Sequence, residues 1–212
     1  MGETFDFKYL TEEMKLCFDA SNDDIDIDHY MNAYEQLAIF VKSLGKVFFF
    51  VIKDINSKLG QLKGLDEYLH RLESLVNHDI EKSKKSGKFS FNSPSRSLIR
   101  LHRALMMMII ICEKIANDSD ESLYSIAKFA YENSMYPYHP SIVRQTVIVA
   151  LKFLKTRSEF CKSLVASQPF SNGLQDEESL RSFLLTDTIP IFKTVYSKME
   201  EKFSFSPIYD MP

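Results

Sequence analysis

A chain of 212 residues, 45% of them hydrophobic, is long enough for one substantial core and short for two, so a single domain over 1–212 is expected. A formal net charge of −3, from 26 Lys and Arg against 29 Asp and Glu, argues against a general nucleic-acid binder and leaves room for a local basic patch. Met1–Leu10 lacks the basic and apolar blocks of a signal peptide, and the longest apolar run, Ala104–Cys112, is too short to span a bilayer, so the expectation is a cytoplasmic protein.

Apolar residues recur in steps of three or four, as at Val41, Leu44, Phe48, Val51, Ile55, Leu59 and Leu62, and no stretch alternates as a strand would. The predicted fold class is all-α. In chain order, helices are expected near 10–21, 28–63, 66–84, 95–116, 121–134, 140–155, 158–167 and 178–203, with Gly45 and Pro190 bending or splitting the longer ones. The acidic run Asp23–Asp28 precedes the second, Gly64 closes it, and Ser86–Pro94 reads as a loop. Asn117–Asp120 offers N-caps, and Asp118 stands at capping-box spacing from Glu121. Glu81–Lys88 reads as a charge-dense surface loop. Cys17, Cys112 and Cys161 each sit in an apolar helical pattern without metal-ligand spacing, as reduced buried thiols would.

Three constellations place charge where a core helix should have none. Val47–Ile52 is apolar nearly all round, and Asp54 and Lys58 then interrupt it one turn apart on one face. Alone, that pair also reads as an exposed ion pair contributing about 0.2–0.5 kcal/mol. Next, Arg96, Arg100 and Arg103 form a stripe at the start of a helix that continues into Leu105–Cys112. Like charges at that spacing repel, so the guanidiniums need acidic partners or an anionic ligand. A phosphate satisfies them, because the planar donor fork of Arg matches phosphate oxygens; a solvated basic face paired with surface carboxylates is the plain alternative. Third, His139 stands between Pro137–Tyr138 and Pro140, a turn that fixes its backbone, and no second ligand at metal spacing accompanies it.

In this order and spacing, Asp54-Ile-Asn-Ser-Lys58, Ser95-Arg96-Ser-Leu-Ile-Arg100-Leu-His-Arg103 and Tyr138-His139-Pro140 resemble the glycolipid transfer protein superfamily, over roughly Phe18 to Met199. The resemblance implies a two-layer sandwich of about eight helices enclosing a lipid-chain pocket, no catalytic residue and no cofactor. It implies that Asp54 and His139 bind the ceramide amide and carbonyl. Glycolipid-selective members carry Asn in place of Lys58 and a sugar-stacking Trp in place of Arg100, and this chain has no Trp. With Lys58, Arg96 and Arg100 it resembles the ceramide-1-phosphate transfer branch, which includes plant relatives linked to accelerated cell death. Arg103 is an additional headgroup or structural residue.

Candidates for the apolar sleeve are Phe48, Phe50, Val51, Met107, Ile111, Val147 and Phe153. The family often places a membrane-touching Trp two residues after the His, where this chain has Ser141; Tyr136, Tyr138 and Ile142, with Lys84, Lys85 and Lys88, are the expected membrane contacts. The expected partners are a ceramide-1-phosphate-class lipid and, transiently, a membrane surface. The alternatives are a glycolipid carrier or sphingolipid sensor, and a helical module whose basic stripe binds an acidic protein. An enzyme is disfavoured by the missing G-x-S-x-G elbow and the lack of a paired nucleophile and base.

Overall fold

The computed structural model describes residues 4–19, 23–88, 90, 93–117, 121–204, 206 and 209. Among these residues it is all-α apart from one antiparallel pair of two-residue strands and an isolated bridge between Asp26 and Arg71. Helix α1 (Phe7–Leu16) starts earlier than 10–21 because Asp6 caps it, accepting from the backbone N–H of Lys8 and Tyr9 at 3.0 and 3.1 Å. It also ends earlier, because Phe18–Asp19 (β1) pairs antiparallel with Asp24–Ile25 (β2). Two-residue strands are too short to produce a period in the sequence.

Asp26 caps α2 (Ile27–Ser43), and Gly45, at φ 115 and ψ 168, divides the expected 28–63 helix. That left-handed backbone suits glycine. A 3₁₀ turn at Lys46–Phe48 leads into α3 (Phe49–Lys63). After a second such turn at Glu67–Leu69, α4 (Leu72–Ser86) ends on Gly87 at φ 72. The expected Glu81–Lys88 loop is therefore largely helix, and Lys84 and Lys85 lie in its last turn, where cations complement the helix dipole.

Helix α5 (Pro94–Ala116) opens with proline in its first turn. Ser122 caps α6 (Leu123–Glu132), while Asp118 lies outside the described residues. A 3₁₀ turn at Tyr136–Tyr138 precedes α7 (Ser141–Leu151), and a capping box of Thr156 and Glu159 opens α8 (Arg157–Ala166). The expected 178–203 helix is interrupted: α9 (Glu177–Phe183) widens into a π turn at Leu184–Thr188 before α10 (Ile189–Ser204). Pro190 has no N–H to continue the ordinary ladder, and the wide turn accommodates the break just ahead of it.

The helix α5 is the central element, packed against α3, α4, α6 and α10, while α1 packs on α2 and α10. Tyr30, Tyr34, Tyr131, Phe192 and Phe203 are the largest fully buried side chains. Tyr34 donates its hydroxyl proton to the Leu101 carbonyl at 2.5 Å, which ties α2 to α5 through the core. Cys17, Cys112 and Cys161 are buried free thiols, and burial pushes Cys112 up to about 12 and Cys161 to about 11. Among the described residues no helix is long and apolar enough to cross a membrane.

His70 clamps the start of α4 to α2, with Nδ1 2.8 Å from Asp28 Oδ2. That hydrogen bond raises its pKa above the ordinary histidine value. A raised folded-state pKa stabilises below the unfolded value of about 6.5, and the contribution is lost as pH rises through the folded value. The difference in urea midpoint between the parent and His70→Gln is therefore expected to shrink from pH 6 to pH 8; a difference that grows over this range contradicts the assignment.

Candidate functional site

The site is assembled by α3, the first half of α5, and the turn that precedes α7. On α3 the apolar residues Ile55 and Leu59 turn inward and carry Lys58 with them, so its side chain is only 11% exposed against 65% for its ion-pair partner Asp54. Burial lowers the Lys58 pKa, Asp54 opposes that shift, and Arg100 adds to it. A cation held this way sits at the edge of the core with its charged end beside a carboxylate.

The first turn of α5 is anchored from two neighbouring helices. Asp79 of α4, only 4% exposed, accepts from the Ser95 backbone N–H at 3.0 Å and from the Ser95 hydroxyl. Ser97 donates to Gln61 Oε1 on α3 at 2.5 Å. The bond from the Ser95 N–H satisfies a donor that a helix start leaves open, and the two hydroxyl bonds tie the same turn to α4 and α3, fixing the rotation of α5. With that rotation Arg96 is buried, Arg100 half-buried and Arg103 buried. Burial lowers the pKa of all three, and the Arg100 guanidinium lowers those of Arg96 and Arg103 further. Asp54 acts in the opposite sense on Arg100. Like charges therefore gather around Arg100, with Asp54 as the carboxylate that answers them, an arrangement whose charge suits an anion.

His139 enters from the other side. Its Nδ1 lies 2.8 Å from the Tyr131 hydroxyl of α6, its backbone N–H donates to the Tyr136 carbonyl at 3.2 Å, and its own carbonyl accepts from Arg144 Nε at 2.7 Å. Burial depresses its pKa, Asp54 opposes, and Lys58, Arg144 and Arg100 depress it further. Asp54, Lys58, Arg96, Arg100 and His139, drawn from three separate segments, thus share one electrostatic neighbourhood.

Arg103 is differently employed. Its Nη2 donates to the Tyr209 carbonyl at 2.7 Å and its guanidinium lies 3.4 Å from the centre of the Tyr138 ring. Tyr209 in turn donates to Glu200, which sits 2.6 Å from Nε2 of the buried His102. Arg103 is thereby a clamp between Tyr209 and the histidine turn. Arg144 covers Tyr136 in the same way, 4.3 Å from the ring centre. Tyr136 and Tyr138 are accordingly half-buried, each against a cation, while Ile142 is 72% exposed and Lys84, Lys85 and Lys88 are exposed.

Of the residues expected to line a sleeve, Phe48 belongs to the buried core, and Phe50, Val51, Met107, Ile111 and Val147 pack half-buried against it. Phe153 departs from the expectation. The predicted 140–155 helix stops at Leu151, the chain turns, and Phe153 points outward at 65% exposure while Leu154 packs inward. Sequence reading also missed Asp79, Tyr131 and Arg144. Asp79 did leave a trace, as a lone acid on the stripe Leu72, Leu75, Val76 and Asp79; the other two left none.

The sequence profile of the family Glycolipid transfer protein (GLTP) matches residues 25–166. The ceramide-1-phosphate transfer protein of Xenopus tropicalis is 29% identical, over 99% of this chain and 98% of that protein. The crystal structure of human ceramide-1-phosphate transfer protein in complex with 12:0 ceramide-1-phosphate matches with a TM-score of 0.83 at 25% identity, covering 98% of this chain and 100% of that one. A mutant of Arabidopsis accelerated-cell-death 11 complexed with C12 ceramide-1-phosphate matches at 0.78 and 17% identity, covering 99% and 100%, a likeness of fold.

Proposed function

Since the chain belongs to the glycolipid transfer protein family, we propose that it extracts ceramide-1-phosphate, or a close phosphosphingolipid analogue, from one membrane and delivers it to another without covalent chemistry. The Xenopus tropicalis and human relatives it matches along nearly its whole length are named for that lipid, and the human one has been crystallised with it. The observation that supports the reading for this chain is that α3, which carries Asp54 and Lys58, packs against α5, which carries Arg96 and Arg100, so that the charge of Arg100 acts on Lys58, Arg96 and His139.

In this reading the three cations hold the phosphate, which brings about −1.5 to −2 charges at neutral pH. At an effective dielectric near 20, each cation about 4 Å from a phosphate oxygen is attracted by about 4 kcal/mol before desolvation. Asp54 accepts from the ceramide amide and His139 donates to the acyl carbonyl. The hydrocarbon chains need an apolar sleeve, since about thirty methylenes at roughly 0.8 kcal/mol each oppose unaided desorption by about 24 kcal/mol. In this reading Phe48, Phe50, Val51, Met107, Ile111 and Val147, which lie in or against the buried core, supply its wall. The whole chain acts as one cytoplasmic domain that touches membranes transiently, with Ile142, Lys84, Lys85 and Lys88 facing the lipid surface and Tyr136 and Tyr138 beside them.

Intervesicle transfer of fluorescent ceramide-1-phosphate, with protein far below the lipid concentration, tests the proposal. Transfer well above the spontaneous rate is expected, and a rate equal to the protein-free control contradicts it. Organic extraction of the purified protein followed by mass spectrometry separates a carrier, which yields stoichiometric sphingolipid, from a protein-binding module, which yields none.

A further inference from the structure

Tyr131 is a fully buried aromatic at the end of α6, and its hydroxyl meets Nδ1 of His139 at 2.8 Å. The two rings are 5.7 Å apart and Tyr136 closes over Tyr131 edge-on at 5.8 Å, so the pair is held from behind. The backbone of His139 is fixed on both sides, by Tyr136 and by Arg144. Its other ring nitrogen, Nε2, has no protein hydrogen-bond partner among the described residues.

A neutral imidazole carries one ring proton, and the partner of one nitrogen decides which nitrogen carries it. A phenol hydroxyl is a better donor than an imidazole N–H, and an imidazole nitrogen is a better acceptor than a phenol oxygen. The favoured arrangement is therefore O–H···Nδ1. Both groups are in the required state: burial holds the His139 pKa below the ordinary value, so the ring is neutral at pH 7, and pushes Tyr131 up to about 12, so it keeps its proton.

We propose that Tyr131 is a positioning residue for the lipid site, donating to Nδ1 of His139 so that the ring proton sits on Nε2 and serves as a fixed donor to the lipid carbonyl. This rests on the lipid-carrier reading for its target, while the tautomer itself is a property of the free protein. Without Tyr131 the ring is free to exchange tautomers and to rotate, and a nitrogen that should donate spends part of its time as an acceptor.

The test is nuclear magnetic resonance of the full-length protein labelled with ¹⁵N-histidine, at pH 7.5 and without lipid, using His139→Gln to identify the His139 signals among the five histidines. A wild-type ring protonated on Nε2, turning into a tautomer mixture in Tyr131→Phe, is expected. In the transfer assay Tyr131→Phe is expected to be about 3- to 10-fold slower, the change carried by a hydrogen bond of ordinary net strength. A wild-type ring protonated on Nδ1 overturns the proposal without any variant. So does a Tyr131→Phe protein with an unchanged tautomer and unchanged transfer. A wild type with the expected tautomer that transfers no sphingolipid of any headgroup overturns the carbonyl as its target and the carrier reading with it.

Discussion

Arg100→Ala is expected to slow ceramide-1-phosphate transfer by about 10- to 100-fold, the loss of one charge-assisted hydrogen bond at about 1.5–3 kcal/mol. Arg100 is the centre of the cationic group: its charge reaches Lys58, Arg96, Arg103 and His139, and Asp54 answers it. Arg100→Lys keeps the charge and loses the planar fork, so an intermediate rate is expected. The same substitution to alanine removes repulsion felt by three buried cations, so stability in urea is expected to be held or raised as activity falls. A loss of transfer accompanied by equal unfolding would point to a structural role, and normal transfer would remove Arg100 from the site.

The largest effect on stability is expected at Asp79, a residue outside the proposed lipid-binding set. Asp79→Ala leaves the backbone N–H and the hydroxyl of Ser95 without their acceptor, and Ser95 is itself fully buried. Each unsatisfied buried donor costs about 1–3 kcal/mol, so a loss of about 2–4 kcal/mol in urea unfolding is expected. Asp79→Asn retains an acceptor oxygen and should lose markedly less. A change within about 0.5 kcal/mol for the alanine variant would show that solvent or another group satisfies Ser95. Because Asp79 sets the rotation of α5, a folded variant is also expected to transfer more slowly through misplacement of Arg96.

The all-α class was legible because helical periodicity runs through most of the chain, and the breaks at Gly45 and Pro190 were legible because each residue has a local backbone reason to interrupt a helix. What failed was what depends on partners. The end of α1 is set by a two-residue hairpin that only the fold brings together, and the outward turn of Phe153 follows from where α7 stops. At the site, the Arg stripe was visible as charge on an otherwise apolar helix, and it proved unequal. Arg100 acts on Lys58 and Arg96 and is answered by Asp54, whereas Arg103 is occupied by Tyr209, across 106 residues, and by Tyr138, partnerships with no trace in the local pattern. Tyr131 was invisible for a similar reason: on α6 it reads as one more apolar position, and only the folded turn carries His139 back onto its hydroxyl.

The most direct measurement is intervesicle transfer of ceramide-1-phosphate and galactosylceramide of identical acyl chain, by the same protein under the same salt. Because a neutral sugar brings no charge to the cluster of Lys58, Arg96 and Arg100, ceramide-1-phosphate is expected to move at least about tenfold faster. Equal rates, or faster galactosylceramide, would contradict a site built for phosphate.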